Sequence, residues 1–205
     1  MHVKTIEVGA LPTNCYVVTD PKTKACAIID PGDDSAQIIS YIETEDLKPQ
    51  VVFLTHGHYD HTMAADDLAK AFSIPAYIHA QEVDEKGNSP YTFVPLADTR
   101  HYKEGDQFHV GELTVTVLHT PGHSRGSVCL QIEDCLFSGD TLFRDDCGRC
   151  DLPGGDYDTI LKSLARIDKL EGIEDIFPGH MGATTLERER RFNQHLKTAA
   201  KGSGQ

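Results

Sequence analysis

Residues 51–61 read VVFLTHGHYDH, and no other stretch restricts the fold and chemistry of this chain as strongly. VVFLT is a continuous apolar run, the pattern of a strand buried on both faces. His56, His58, Asp60 and His61 follow it at once. Side chains alternate along an extended segment, so His56 and His58 fall on the same side. Asp60 and His61 fall where the next helix starts and can turn toward a second point. Packing and solvation give no reason to gather three imidazoles and a carboxylate in one loop. Imidazole and carboxylate are ligand types for zinc, iron and manganese. Four such groups can serve two ions but cannot complete both coordination spheres, so further ligands are expected from elsewhere.

Three later segments offer them, each a strand ending in a turn. TPGH (120–123) presents His123, SGDT (138–141) presents Asp140 and PGH (178–180) presents His180. The glycine before each is read as freedom for a tight turn. Taken singly, a histidine after a strand is ordinarily a surface or satisfied core residue, and Asp140 would be an ordinary turn former. His2, His79, His101, His109, His119 and His195 are left in that class. The loop cluster and the three later segments together read as a metal site.

Around these motifs the chain runs strands first, then strands alternating with helices. Strands are expected at 2–8, 15–19, 25–30, 51–55, 76–79, 113–120, 127–132, 135–140 and 174–177. Helices are expected from Asp33 to Glu45 through Ile38, Ile39 and Ile42, and from Thr62 to Phe72 through Ala64, Leu68, Ala71 and Phe72. A third runs from Asp156 to Leu170 through Ile160, Leu161, Leu164 and Ile167 and is closed by Gly172. A last helix opens at Thr184, with Glu187 three residues on as in a capping box. Two blocks of strands with helices on both faces suggest a four-layer αββα sandwich, an α/β fold. One domain over residues 1–200 is expected, followed by a disordered tail at 201–205.

The formal charge of −13 argues against a nucleic-acid partner, since phosphate backbones recruit clusters of Lys and Arg. ERERRF (187–192) alternates acids and bases as a solvated helix does. No apolar run reaches the length of a membrane span, and the first residues lack a signal-peptide pattern, so a cytoplasmic protein acting on a small molecule is expected. Cys15, Cys26, Cys129 and Cys135 sit in or beside apolar runs and read as core residues. Cys147 and Cys150 form a lone C-x-x-C, open to a redox role, a metal role or none.

HGHYDH, then PGHS, SGDT and PGH in this order, resembles the metallo-β-lactamase superfamily across nearly the whole chain. The resemblance implies the αββα fold and two divalent ions, zinc first, with iron or manganese as alternatives. It implies one ion on His56, His58 and His123, a second on Asp60, His61 and His180, and Asp140 bridging both. Lactamases proper usually carry a cysteine near the bridging position, so antibiotic hydrolysis is disfavoured here. GRCDLPGGD (148–156) resembles a stretch of glyoxalase II and its short bacterial relatives. That branch implies hydrolysis of a thioester such as S-lactoylglutathione by water activated between the ions, with Asp60 orienting it. Two departures stand out. No counterpart of the long enzymes' helical C-terminal domain is expected, and Met63-Ala64-Ala65 stands where they usually have glycines. Arg149 is a candidate for a substrate carboxylate, against a salt bridge with Asp145, Asp146 or Asp151. Tyr59 is a candidate for the pocket wall, against a packed aromatic. Lys103, Arg188 and Arg190 are read as surface charges. Other readings are a mono-iron persulfide dioxygenase on His56, His123 and Asp140, a lactonase or phosphodiesterase on the same scaffold, and a non-catalytic metal-binding module.

Overall fold

Strands β2 (Thr13–Thr19) and β3 (Ala25–Ile29) and the second half of β4 (Lys48–Phe53) bury both of their faces, and alternate residues enter two different apolar clusters. Cys15, Val17, Cys26, Ile28 and Val52 pack with Ile38, Ile42 and Leu68 from the covering helices. Tyr16, Val18, Ala27, Ile29, Val51 and Phe53 instead meet Val115, Val117, Leu130 and Phe137 of a second sheet. The second sheet repeats the pattern outward, with Cys129 and Leu136 packing against Ile160, Leu164 and Leu196. Period-two alternation on both sheets therefore stacks helix, sheet, sheet and helix as four layers. This computed structural model describes residues 1–84 and 86–202.

The first sheet has the order β1-β2-β3-β4-β5-β6, with β1 (His2–Val8), β5 (Ala76–His79) and β6 (Thr99–Tyr102) completing it. Helix α1 (Ser35–Thr44), the single turn α2 (Tyr59–Thr62) and α3 (Ala65–Phe72) belong to its connections. The second sheet has the order β14-β13-β10-β9-β8-β7. Its strands are β7 (Gln107–Val110), β8 (Leu113–His119), β9 (Val128–Ile132), β10 (Cys135–Gly139), β13 (Asp175–Pro178) and β14 (Thr184–Thr185). A two-stranded hairpin of β11 (Leu142–Phe143) and β12 (Asp146–Cys147) follows β10. Helices α4 (Tyr157–Asp168), α5 (Leu186–Phe192) and α6 (Gln194–Gly202) lie toward the C-terminus. Among the described residues no helix is long and apolar enough to cross a membrane.

Several local expectations are corrected. The helix expected from Thr62 to Phe72 is two pieces, and Ala71 is exposed rather than core-facing. The last helix is broken at the fully buried Asn193, whose Oδ1 accepts from the N–H groups of His195 and Leu196 and starts α6. Its first half is capped by Thr185, which accepts from Arg188 N, and not by Thr184. ERERRF is not wholly solvated, because Glu189 is buried and accepts from Thr184 Oγ1 (2.6 Å) and Asp145 N (2.7 Å). Nor are its arginines free charges. Arg188 is paired with both oxygens of Asp145, and Arg190 donates to the carbonyls of Asp168 and Leu170 at the end of α4. Lys201 and Gly202, expected in the tail, belong to α6, and residues 203–205 lie outside the described ones.

Candidate metal centre

The ends of β4, β10 and β13 and the β8–β9 loop converge, and with them the expected ligand residues. His56, His58 and His123 each present a donor atom within 4.8 Å of the others, and Asp60, His61 and His180 form a second such group. Asp140 lies between the groups. Its Oδ1 is 3.4 Å from His61 Nε2, and its Oδ2 is 3.5 Å from both His123 Nε2 and His180 Nε2. Within the groups, His58 Nδ1 is 3.0 Å from His123 Nε2, and His180 Nε2 is 3.3 Å from both His61 Nε2 and Asp60 Oδ2. Nitrogen ligands on one tetrahedral zinc stand roughly 3.3 Å apart.

The outer nitrogens explain why these rings face inward. His56 Nδ1–H donates to Thr55 Oγ1 (3.0 Å), whose hydroxyl donates to Asp30 Oδ2 (2.6 Å). His61 Nδ1–H donates to the same Asp30 oxygen (3.0 Å), His123 Nδ1–H to the carbonyl of Arg149 (2.7 Å) and His180 Nδ1–H to that of Pro12 (2.8 Å). Each bond selects the tautomer whose Nε2 lone pair points into the site, the usual support of a metal-bound imidazole. Lone pairs converging with carboxylate oxygens repel one another unless a cation or protons lie between them. The fully buried Nε2 of His56 and Oδ1 of Asp140 have no hydrogen-bond partner. His58 is the exception, because its Nδ1 faces inward and its buried Nε2 is the unpartnered atom. The residues present therefore fit a pair of cations.

The charges agree. Burial, reinforced by the neighbouring imidazoles, holds His56 far below the ordinary histidine range. Burial likewise pushes His58 down to about 3. Burial opposes a charge on His61 too, but Asp140 and Asp30 outweigh it and raise that ring to about 9. Asp60 is driven to about 2, since the His180 bond and the charge of His61 overcome its burial.

Two carboxylates that the sequence reading passed over organise this centre. Asp30, at the end of β3, accepts from Thr55 N (2.7 Å), Thr55 Oγ1 and His61 Nδ1. Glu82 is 2% exposed and accepts from Gly57 N (2.7 Å) and Gly126 N (2.5 Å), tying the HGHYDH loop to the loop that carries His123. The positive φ of Asp30 is its only local peculiarity, and Glu82 has no sequence signature at all. The glycines before the ligands divide by role. Gly122 and Gly139 do take positive φ, but Gly179 does not. At Gly179 the constraint is space, because a Cβ there would lie 2.2 Å from Asp140 Oδ1.

A cavity of about 570 Å³ opens onto the centre, lined by Asp60, Asp140 and His180 with the apolar Leu11, Phe143 and Leu152. Tyr59 is exposed and lines the cavity instead of packing into the core. Arg149 also lines it, but its guanidinium forms two 2.7 Å bonds to Asp151, the structural pairing considered from sequence. What Arg149 gives the centre directly is its backbone oxygen. Burial pushes the Cys147 thiol up to about 12 and raises Cys150 as well. All six cysteines are free.

The sequence model of the metallo-β-lactamase superfamily matches residues 8–180. The chain belongs to the metallo-β-lactamase superfamily. Its fold agrees with the crystal structure of BLEG-1 B3 metallo-β-lactamase at a TM-score of 0.85 and 36% identity, over 95% of this chain and 99% of that one. TTHA1623 in a di-iron-bound form is similar at a TM-score of 0.81 and 33% identity, over 94% and 99%. The hydroxyacylglutathione hydrolase GloC of Haemophilus influenzae is 32% identical over 97% of this chain and 99% of its own length. Members of this superfamily bind divalent metals such as zinc or iron, and a histidine cluster is present in this chain. As a superfamily member the chain is a metallohydrolase.

Proposed function

We propose that this metallohydrolase cleaves thioesters, with S-lactoylglutathione as the representative substrate, using two divalent ions of which zinc is the first choice. His56, His58 and His123 would hold one ion, and Asp60, His61 and His180 the other, with Asp140 shared. The observation that carries the reading is that two triads meet at one carboxylate and open into a cavity of small-molecule size. Similarity to GloC, whose name states a glutathione thioester, supports the substrate class. When bound, such ions supply a water of lowered pKa and a Lewis acid for a carbonyl oxygen. Asp60 lines the cavity with its Oδ2 against His180, and we assign it the orientation of the attacking water and custody of its proton. Asp140 keeps the two triads at their mutual spacing. The apolar wall of Leu11, Phe143 and Leu152 suits an acyl group.

Arg149 is the lone Lys or Arg among the described cavity-lining residues. We assign it to a carboxylate on the thiol half, reached by exchange of its Asp151 partner. Arg149→Ala should raise KM for S-lactoylglutathione roughly three- to tenfold with little change in kcat, since the lost contact is equally present in ground and transition states. A thioester of an uncharged thiol should be nearly indifferent to the substitution.

The similarity to BLEG-1, a B3 metallo-β-lactamase by description, favours a β-lactam as the second reading. Initial rates of metal-reconstituted protein on S-D-lactoylglutathione, a chromogenic β-lactam and glutathione persulfide separate the possibilities. The thioester should exceed both others by about tenfold or more in kcat/KM. Turnover of the β-lactam alone would overturn the substrate class, as would oxygen consumption on the persulfide by protein holding one iron.

A further inference from the structure

A second group of side chains of metal-ligand type, none of them among the seven, lies where α6 packs on the β11–β12 hairpin, and two of its members, Asp146 and Cys147, line the cavity of the centre. Asp146 Oδ1 is 3.2 Å from His195 Nε2. One donor atom from each of Asp146, Cys147 and His195 lies within 4.8 Å of the other two. The other nitrogen of His195, Nδ1, is bonded to the Tyr157 hydroxyl at 2.9 Å, which holds the ring with Nε2 toward Asp146. An outer hydrogen bond of this kind is how ligating imidazoles are ordinarily aimed. The backbone is fixed as well. Asn193 Oδ1 accepts from His195 N (2.9 Å) while Asn193 Nδ2 donates to the carbonyl of Asp146 (2.9 Å), so one buried side chain fastens both halves of the cluster together. A surface Asp–His pair needs no third partner. Here the third corner is a half-buried thiol, and thiolate, imidazole and carboxylate together form a zinc-type donor set with room for a fourth ligand.

We propose that Asp146, Cys147 and His195 bind a divalent cation of the zinc class, with a ligand set distinct from that of the seven-residue centre, at the wall of the same cavity. Binding displaces the Cys147 thiol proton to solvent and leaves the sulfur's oxidation state unchanged. The ion clasps α6 to β12, two residues before Arg149, whose carbonyl holds the His123 ring. It therefore braces the wall of the catalytic centre without taking part in the reaction.

Cobalt(II) distinguishes the two places, because the seven-residue centre offers only nitrogen and oxygen. A thiolate-to-cobalt charge-transfer band can come only from a cysteine site, whether or not the catalytic centre fills as proposed. Purified reduced protein should take up about three equivalents of cobalt and show this near-ultraviolet band. Cys147→Ser should abolish the band and lower uptake by about one equivalent, while the visible ligand-field bands persist and report an intact fold. His195→Ala should lose the same equivalent, and Cys150→Ser should keep both band and stoichiometry. A saturated wild type without the band, or a band that survives Cys147→Ser, would overturn the proposal.

Discussion

Glu82 and Asp30 hold the ligand loops by hydrogen bonds to backbone N–H groups, the Thr55 hydroxyl and the His61 ring. Glu82→Ala strands the N–H groups of Gly57 and Gly126, at a cost of about 1–3 kcal/mol each when buried. A drop in thermal midpoint and a 10- to 100-fold loss of zinc affinity are expected, measured by calorimetry and chelator competition. Asp140→Ala should remove metal and activity together, and a fully metallated, fully active variant would refute its bridging role. The metal-free histidines also set a pH dependence. Burial keeps His56 well down and His58 at about 3, whereas the unfolded chain takes up its histidine protons near 6.5. The unfolded state then binds more protons at lower pH, so chelated protein should lose several degrees of thermal midpoint as pH falls from about 6.5 toward about 3. His61, raised to about 9, stays protonated across that window and contributes no slope to it. At this scale the sequence displayed the seven residues because they sit in short motifs at strand ends. It hid Asp30 and Glu82, whose partners lie 25 to 44 residues away and include backbone N–H groups that carry no side-chain signature.

The strand and helix ends decide where the ligands point. Gly179→Ala should empty the centre while largely sparing the sheets, because Asp140 Oδ1 (2.2 Å) and His61 Cε1 (2.7 Å) lie nearest the added methyl, ahead of the Gly139 backbone at 3.2 Å; metal content and far-ultraviolet dichroism measured together check this. Asp156 caps α4 by accepting from Thr159 N (2.7 Å), and its own N–H donates to Gly122 O (2.8 Å), beside His123. Asp156→Ala should cost about 1 kcal/mol of stability in a denaturant melt, the usual value of a lost N-cap. The long apolar strands and the three amphipathic helices α1, α3 and α4 were legible from periodicity. The short strands β6, β7, β11, β12 and β14 were not, because they are two to four residues long and several are largely polar. The break at Asn193 was hidden for a different reason: its side chain bonds Phe143, Asp146 and Glu189 from across the fold, and no local pattern announces that.

As a whole the molecule places two six-stranded sheets back to back and builds its centre from the loops at one edge of both. The four-layer order was readable from two blocks of strands accompanied by amphipathic helices, and the structure shows why, since buried residues alternate between two clusters. The pairing of β3 with β4, and of β10 with β13, required the fold itself. A centre drawn from both sheets couples metal binding to the integrity of the sandwich, so zinc should raise the thermal midpoint in proportion to its occupancy. The two-ion centre of these seven residues is open to a direct test by anomalous diffraction from zinc-reconstituted crystals, with data on both sides of the zinc edge. One peak coordinated by His56, His58 and His123 is expected, and a second by Asp60, His61 and His180, with Asp140 touching both. A single peak among these residues at saturating zinc, or none, would contradict it.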